Sequence, residues 1–256
     1  MNKYPYQRSV WIAAIIIIVG LSMGIYFNRS YSYIYSHIDK IGLTSPDRDL
    51  NYVLSNNEAA SSSLVYVALG DSLTAGTGAT DYSESYPYLL AQYFAGNDYR
   101  ILLYDRAVPG AKTSDLLVSL LPAAIRDNPD VVTLLIGVND VHGQVSQADF
   151  RANYDAILSR LSTETKAKIV IINIPYLGAG NLLLPPYNTL FDFRTREFNK
   201  IIAELAAKYQ LKEVDLYTQT VALFKEGGSH YAADFFHPSA EGYKIWADLI
   251  YADLSN

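Results

Sequence analysis

The chain has 256 residues, 50% of them apolar and 18% charged, enough to bury one sizeable core and too few for two large domains. A net charge of −6 without any Lys/Arg cluster excludes a nucleic-acid surface, whose affinity comes from neutralising phosphates. The absence of cysteine removes disulfides, thiolate catalysis and thiolate metal sites together, and four histidines (His37, His142, His230, His237) argue against a His-rich metal centre.

Residues 1–9 carry Lys3 and Arg8 and precede VWIAAIIIIVGLSMGIYF at 10–27, which contains no charge. As a helix this run covers about 27 Å, most of a bilayer core. Lys3, Arg8 and the free amine lie before it and only Arg29 closely after, which places residues 1–9 in the cytoplasm and the remainder outside. Trp11, Tyr26 and Phe27 sit at its ends, as interfacial aromatics do. The run is longer than a usual signal-peptide core and no A-x-A-like site follows it, so the reading is an uncleaved transmembrane anchor in the cell membrane. Secretion after cleavage and a buried core helix are the alternatives. Residues 28–63, polar and turn-rich, read as an extracytoplasmic linker that reaches roughly 100 Å if fully extended.

From residue 64 to 256, short β-branched runs alternate with longer amphipathic ones. Strands are predicted at 64–69, 100–104, 131–136, 168–174 and 213–216, and helices at about 84–95, 113–126, 147–163, 189–209 and 239–253. Strands apolar on both faces imply helices on both sides of a parallel sheet of about five strands, a doubly wound α/β domain. Ligands in such sheets bind beyond the carboxyl ends of the strands. The segments found there are GDSLTAG (70–76), DRAVPGAKTS (105–114), GVND (137–140) and IPYLGAG (174–180), followed by DFFHPSAEGY (234–243) before the last helix. Two nucleotide-binding motifs fail: Gly76-Thr77-Gly78 meets Asp81 where a dinucleotide fingerprint needs glycine, and Gly110-Ala111-Lys112-Thr113 separates glycine from lysine.

Acyl transfer needs a nucleophile, a base with an orienting group, and donors for the oxyanion. Ser72, in a turn after the first strand, is either a turn serine or a nucleophile. Asp234 lies three residues before His237, close enough to bend back onto one ring nitrogen and leave the other for Ser72. His142 and His230 are rival bases without a carboxylate so placed. Gly110 offers a backbone N–H unobstructed by a Cβ and Asn139 a side-chain amide, although each has an ordinary turn role; Asp140 fits fixing its turn better than reacting.

As a set, these segments resemble the SGNH hydrolases, also called the GDSL lipase/esterase family. Gly70-Asp71-Ser72-Leu73 is similar to the family's first block, Gly110 to the second, Gly137-Val138-Asn139-Asp140 to the third and Asp234-Phe235-Phe236-His237-Pro238 to the last. The resemblance spans about 64–254 and implies a flavodoxin-like α/β/α sandwich working without metal or organic cofactor. It makes Ser72 the nucleophile, His237 the general base and acid, Asp234 its partner, and the Ser72 N–H, the Gly110 N–H and the Asn139 amide the oxyanion hole. The chain departs from the pattern in the second block, with Asp105 where asparagine is common and Pro109 where a small residue is.

The resulting expectation is a membrane-anchored extracytoplasmic serine esterase acting on lipid or cell-envelope acyl esters through an acyl-enzyme. Acyl transfer to a carbohydrate from the same site, and a non-catalytic envelope-binding module, are the alternatives. The loop with Leu182, Leu183 and Leu184 is either an acyl groove or lid, or a segment folded onto the core.

Overall fold

The computed structural model describes residues 5–41, 43–55, 62–96, 99–176, 182–226 and 228–255. Helix α1 (Pro5–Ile41) precedes strand β1 (Asn51–Leu54) and strand β2 (Ser62–Gly70). Then follow α2 (Tyr86–Ala95), β3 (Tyr99–Ala107), α3 (Thr113–Asp115), a π-turn at Leu116–Leu120, α4 (Leu121–Arg126), β4 (Val131–Leu135) and α5 (Val138–His142). The chain closes with α6 (Gln147–Glu164), β5 (Lys168–Ile172), α7 (Tyr187–Tyr209), β6 (Lys212–Val214), α8 (Leu216–Glu226) and α9 (Ala240–Ser255).

The sheet runs β1-β3-β2-β4-β5-β6. Strands β2 to β6 are parallel, and β1 pairs antiparallel to β3 with Asn51 opposite Tyr104 and Leu54 opposite Ile101. Helices α2, α8 and α9 pack together in one layer, and α4, α6 and α7 in another. After β3 the chain returns across β2 to form β4, so the switch in strand order falls at the carboxyl end of β2. Residues 66–70 of β2 are buried on both faces, as a strand covered by two helix layers must be.

The five parallel strands are as expected, and a sixth, antiparallel one joins them. The sheet is mixed and six-stranded, because a strand comes from the segment read as a linker: NYVL is four residues long and alternates exposed and buried positions, too short a signal among polar neighbours. That segment also pins itself to the domain, with Arg48 Nε donating to Asp105 Oδ2 at 2.5 Å and Arg48 Nη2 to the Ala107 carbonyl at 2.8 Å. Asp105, a departure from the family pattern, is thus the partner of a cation 57 residues away in the chain. Of the two readings of the leucine loop, the one that folds it onto the core holds for Leu182 and Leu183, which are 0% and 1% exposed. Residues 177–181 of that loop lie outside the described residues. Predicted strand 213–216 stops at Val214, and Leu216 instead opens α8.

Several of the 22 tyrosines are buried in the core, and three of them keep their hydroxyls paired there. Tyr66 shares a hydrogen bond with Thr133 at 2.8 Å, Tyr86 with Thr74 at 3.0 Å, and the Tyr243 hydroxyl donates to the Thr77 carbonyl at 2.7 Å. Each fills apolar volume while its hydroxyl is satisfied.

Candidate active site

At the end of β2 the Asp71 carbonyl accepts the Thr74 and Ala75 N–H groups and the Ser72 carbonyl accepts Thr77 N–H. This closes a helical turn on which Ser72 stands at the switch point. Asp71 is fully buried; its Oδ1 accepts Leu73 N–H at 3.0 Å, while Oδ2 has no hydrogen-bond partner among the described residues. Burial pushes its carboxyl up to about 7, with the Leu73 N–H opposing and Asp140 reinforcing.

The turn then approaches the loop before α9. Gly78 has φ +99°, and a Cβ there would lie 2.3 Å from the Pro238 carbonyl oxygen and 3.0 Å from His237 Cβ. Only glycine lets the serine loop and the histidine loop touch. In the histidine loop, Ala232 N–H donates to the His237 carbonyl at 2.8 Å, and Phe235 is held in the left-handed region at φ 56°. Asp234 Oδ1 accepts the N–H groups of Phe236 and His237, both at 3.0 Å, and Asp234 Oδ2 lies 2.6 Å from His237 Nδ1. Burial works against ionising Asp234, but the His237 ring and these two N–H groups outweigh it and hold the carboxyl below its usual value. His237 Nε2 lies 3.1 Å from Ser72 Oγ. Serine, imidazole and carboxylate therefore form one hydrogen-bonded line, almost wholly buried, with Ser72 7% and His237 8% exposed.

Gly110, beyond β3, has φ +81° with nothing within 4 Å of a Cβ built on it, so the backbone angle is what calls for glycine. Asn139, on α5, donates Nδ2 to the Ala111 carbonyl at 3.0 Å, which couples the second and third loops and leaves a second amide hydrogen. Asp140 is fully buried and accepts both Thr113 N–H, at 3.0 Å, and the Thr113 hydroxyl, at 2.5 Å, so it ties α5 to α3 as its turn-fixing role requires. Ser72, Gly110, Asn139 and His237 all line one cavity of about 510 Å³. The rival histidines are placed otherwise. His230 faces Glu241 at 3.7 Å and does not line this cavity. His142 does line it, but burial, with Arg194 and His237 adding repulsion, pulls its ring down to about 4, and its Nε2 has no partner among the described residues.

Sequence reasoning missed a second set of cavity residues. Thr77, Phe236, Ile34, Tyr35 and the segment Leu43 to Ser45 line it too. Thr77 directly follows the segment 70–76 and Phe236 lies within the segment 234–243, whereas the others come from the presumed linker and carry no motif. Among the described residues no group of three or more His, Asp or Glu is arranged to hold a metal ion.

This fold and site are those of an ester-hydrolysing serine hydrolase. The chain belongs to the GDSL-like lipase/acylhydrolase family, whose model matches residues 68–245. It is similar to an acetylxylan esterase of Geobacillus stearothermophilus, 26% identical over 160 residues (57% of this chain and 69% of that protein). It is also similar to the spore germination lipase LipC of Bacillus licheniformis, 25% identical over 208 residues (74% and 95%). Among solved structures, the lipase/acylhydrolase of Enterococcus faecalis superposes with a TM-score of 0.61 at 24% identity, over 75% of this chain and 95% of that one.

Proposed function

We propose that the protein is a membrane-anchored, extracytoplasmic carboxylesterase of lipid or cell-envelope esters. Ser72 is the nucleophile, His237 the general base and then acid, and Asp234 the group that orients and charges the ring. The observation that carries this reading is the continuous pairing of Ser72 Oγ, His237 and Asp234 at 3.1 and 2.6 Å within a cavity that also presents Gly110 and Asn139.

In that reading His237 Nδ1–H donates to Asp234, leaving Nε2 to accept the hydroxyl proton as Ser72 Oγ attacks the ester carbonyl. The N–H groups of Ser72 and Gly110 and the free Asn139 amide hydrogen receive the oxyanion. The imidazolium, stabilised by the Asp234 carboxylate, returns its proton to the departing alkoxide; the acyl-enzyme then yields to water by the same steps in reverse. The Ser72→Ala chain assayed on a p-nitrophenyl ester tests this, since retention of the wild-type rate removes Ser72 from the mechanism.

Anchoring is supported by α1 itself. Over 9–37 it is a helix with mean hydropathy of 2.4 in its most apolar window, none of which is buried, and Ile15, Ile16, Ile17 and Ile18 are each more than half exposed. Such side chains need lipid around them. With Lys3 and Arg8 on the amino side, the catalytic domain lies outside the cell. Retention of the helix, rather than cleavage behind it, is supported by Ser30 and Ile34, which are 4% and 2% exposed against the domain. Protease accessibility of the domain in intact cells or spheroplasts, together with amino-terminal sequencing of the membrane fraction, tests both points.

A further inference from the structure

Past residue 27, α1 continues without a break and turns from a lipid-facing rod into part of the catalytic domain. The Tyr187 hydroxyl, at the start of α7, donates to the Phe27 carbonyl at 3.2 Å, and its ring meets Tyr31 at 5.7 Å. One turn further, Ile34 is 2% exposed. His37 stacks on Phe235, the residue after Asp234, with ring centroids 5.7 Å apart. The chain after the helix stays in contact, with Ser45 Oγ 2.6 Å from Thr77 Oγ1 on the serine loop. As a result Ile34, Tyr35 and Leu43 line the same cavity as Ser72, Gly110 and Asn139. All three lie outside residues 68–245, the part that matches the family.

We propose that Ile34, Tyr35 and Leu43 are specificity-determining residues: the helix that anchors the protein also forms the apolar wall of its acyl site. The inference rests on Ser72 being the nucleophile. An acyl-enzyme would begin at Ser72 Oγ with its carbonyl oxygen toward Gly110 and Asn139, so the carbons beyond the carbonyl must follow another wall of the cavity. Ile34, Leu43 and the Tyr35 ring make the apolar part of the wall contributed by α1 and the turn after it, beside Thr44 and Ser45, whose hydroxyl is taken up by Thr77, and an acetyl group ends before it could use such a surface. A chain of several carbons gains from it, at about fourfold in kcat/KM per buried methylene. The site is thereby fitted to medium or long acyl chains, and the anchoring helix sets that preference.

The test uses the full chain in detergent micelles and a series of p-nitrophenyl esters from acetyl to octanoyl, each below its aggregation limit. Wild-type protein is expected to favour octanoyl over acetyl in kcat/KM. Ile34→Trp, which fills the cavity, and Tyr35→Ala, at a side chain 38% exposed, are each expected to lower the octanoyl-to-acetyl ratio by about tenfold or more. Stoichiometric labelling of Ser72 by a small fluorophosphonate identifies the folded, competent protein in every sample. A ratio unchanged within about twofold in labelled variants overturns the proposal, as does a wild-type preference for acetyl esters. Failure of the underlying reading looks different: wild-type protein that takes no label, or Ser72→Ala protein that still hydrolyses every ester.

Discussion

Asp234 holds His237 by both ends of its carboxylate: Oδ2 lies 2.6 Å from the ring nitrogen Nδ1, while Oδ1 takes the backbone N–H of His237 itself at 3.0 Å. One side chain thus fixes the ring's tautomer, its direction and the loop beneath it. Asp234→Asn retains the backbone acceptor but offers the ring a poorer partner and no charge. We expect kcat to fall by about 10³–10⁴-fold with little change in thermal stability. Steady-state kinetics beside a melting curve checks this, and a loss of activity that merely tracks unfolding counts against the orienting role.

Asn139 predicts a different signature. Its amide gives one hydrogen to the Ala111 carbonyl and, in the proposed mechanism, the other to the oxyanion, so Asn139→Ala is expected to lower kcat by about 10²–10³-fold and leave KM nearly unchanged. An increase in KM alone would place Asn139 in ground-state binding.

Asp71 makes stability depend on pH. Its carboxyl is raised from 3.8 to about 7, so between these values the folded chain holds a proton that the unfolded chain has released. Stability therefore falls as pH rises across that window and levels off above it. Asp71→Asn keeps an acceptor for Leu73 N–H and removes the charge. It is expected to flatten the slope and to stabilise the protein at pH 8 by no more than about 4 kcal/mol, less whatever the new amide hydrogens cost. Denaturant titrations of both proteins at pH 5 and pH 8 measure it; an equal difference at both values rejects the assignment.

Arg48 and Asp105 form a pair whose carboxylate is fully buried and whose guanidinium is 15% exposed. Burial raises the Asp105 carboxyl, and the Arg48 charge opposes that rise. Arg48→Met strands the carboxylate and is expected to destabilise the fold by about 3–5 kcal/mol, whereas Arg48→Met combined with Asp105→Asn should recover much of the loss. Equilibrium unfolding of both single variants and the double decides, and additivity of the two single effects would mean the pair is not coupled.

The parallel strands and the long helices were legible because burial on both faces leaves unbroken apolar runs and burial on one face leaves a helical period. Ser72, Asp234 and His237 were legible for another reason: each sits in a short motif just beyond a strand or before a helix, where the sheet's topology gathers side chains. Strand β1 was hidden by its length, and Arg48 by a partner 57 residues away that no local pattern announces. The distal half of α1 was hidden by composition, since in RSYSYIYSHIDK polar residues and tyrosines alternate and mask the stripe that Ser30 and Ile34 bury. For the same reason the cavity wall could not be assigned from motifs, although every residue of the hydrogen-bonded line could.

The unbroken course of α1 also sets a working radius. A flexible linker would let the hydrolase sample esters far out in the envelope, whereas the helix from Phe27 to Ile41 rises only about 21 Å. With α1 embedded as proposed, Ser72 is confined to a thin shell above the bilayer, its encounters are with molecules diffusing laterally in that plane, and esters on distant glycan strands stay beyond its reach.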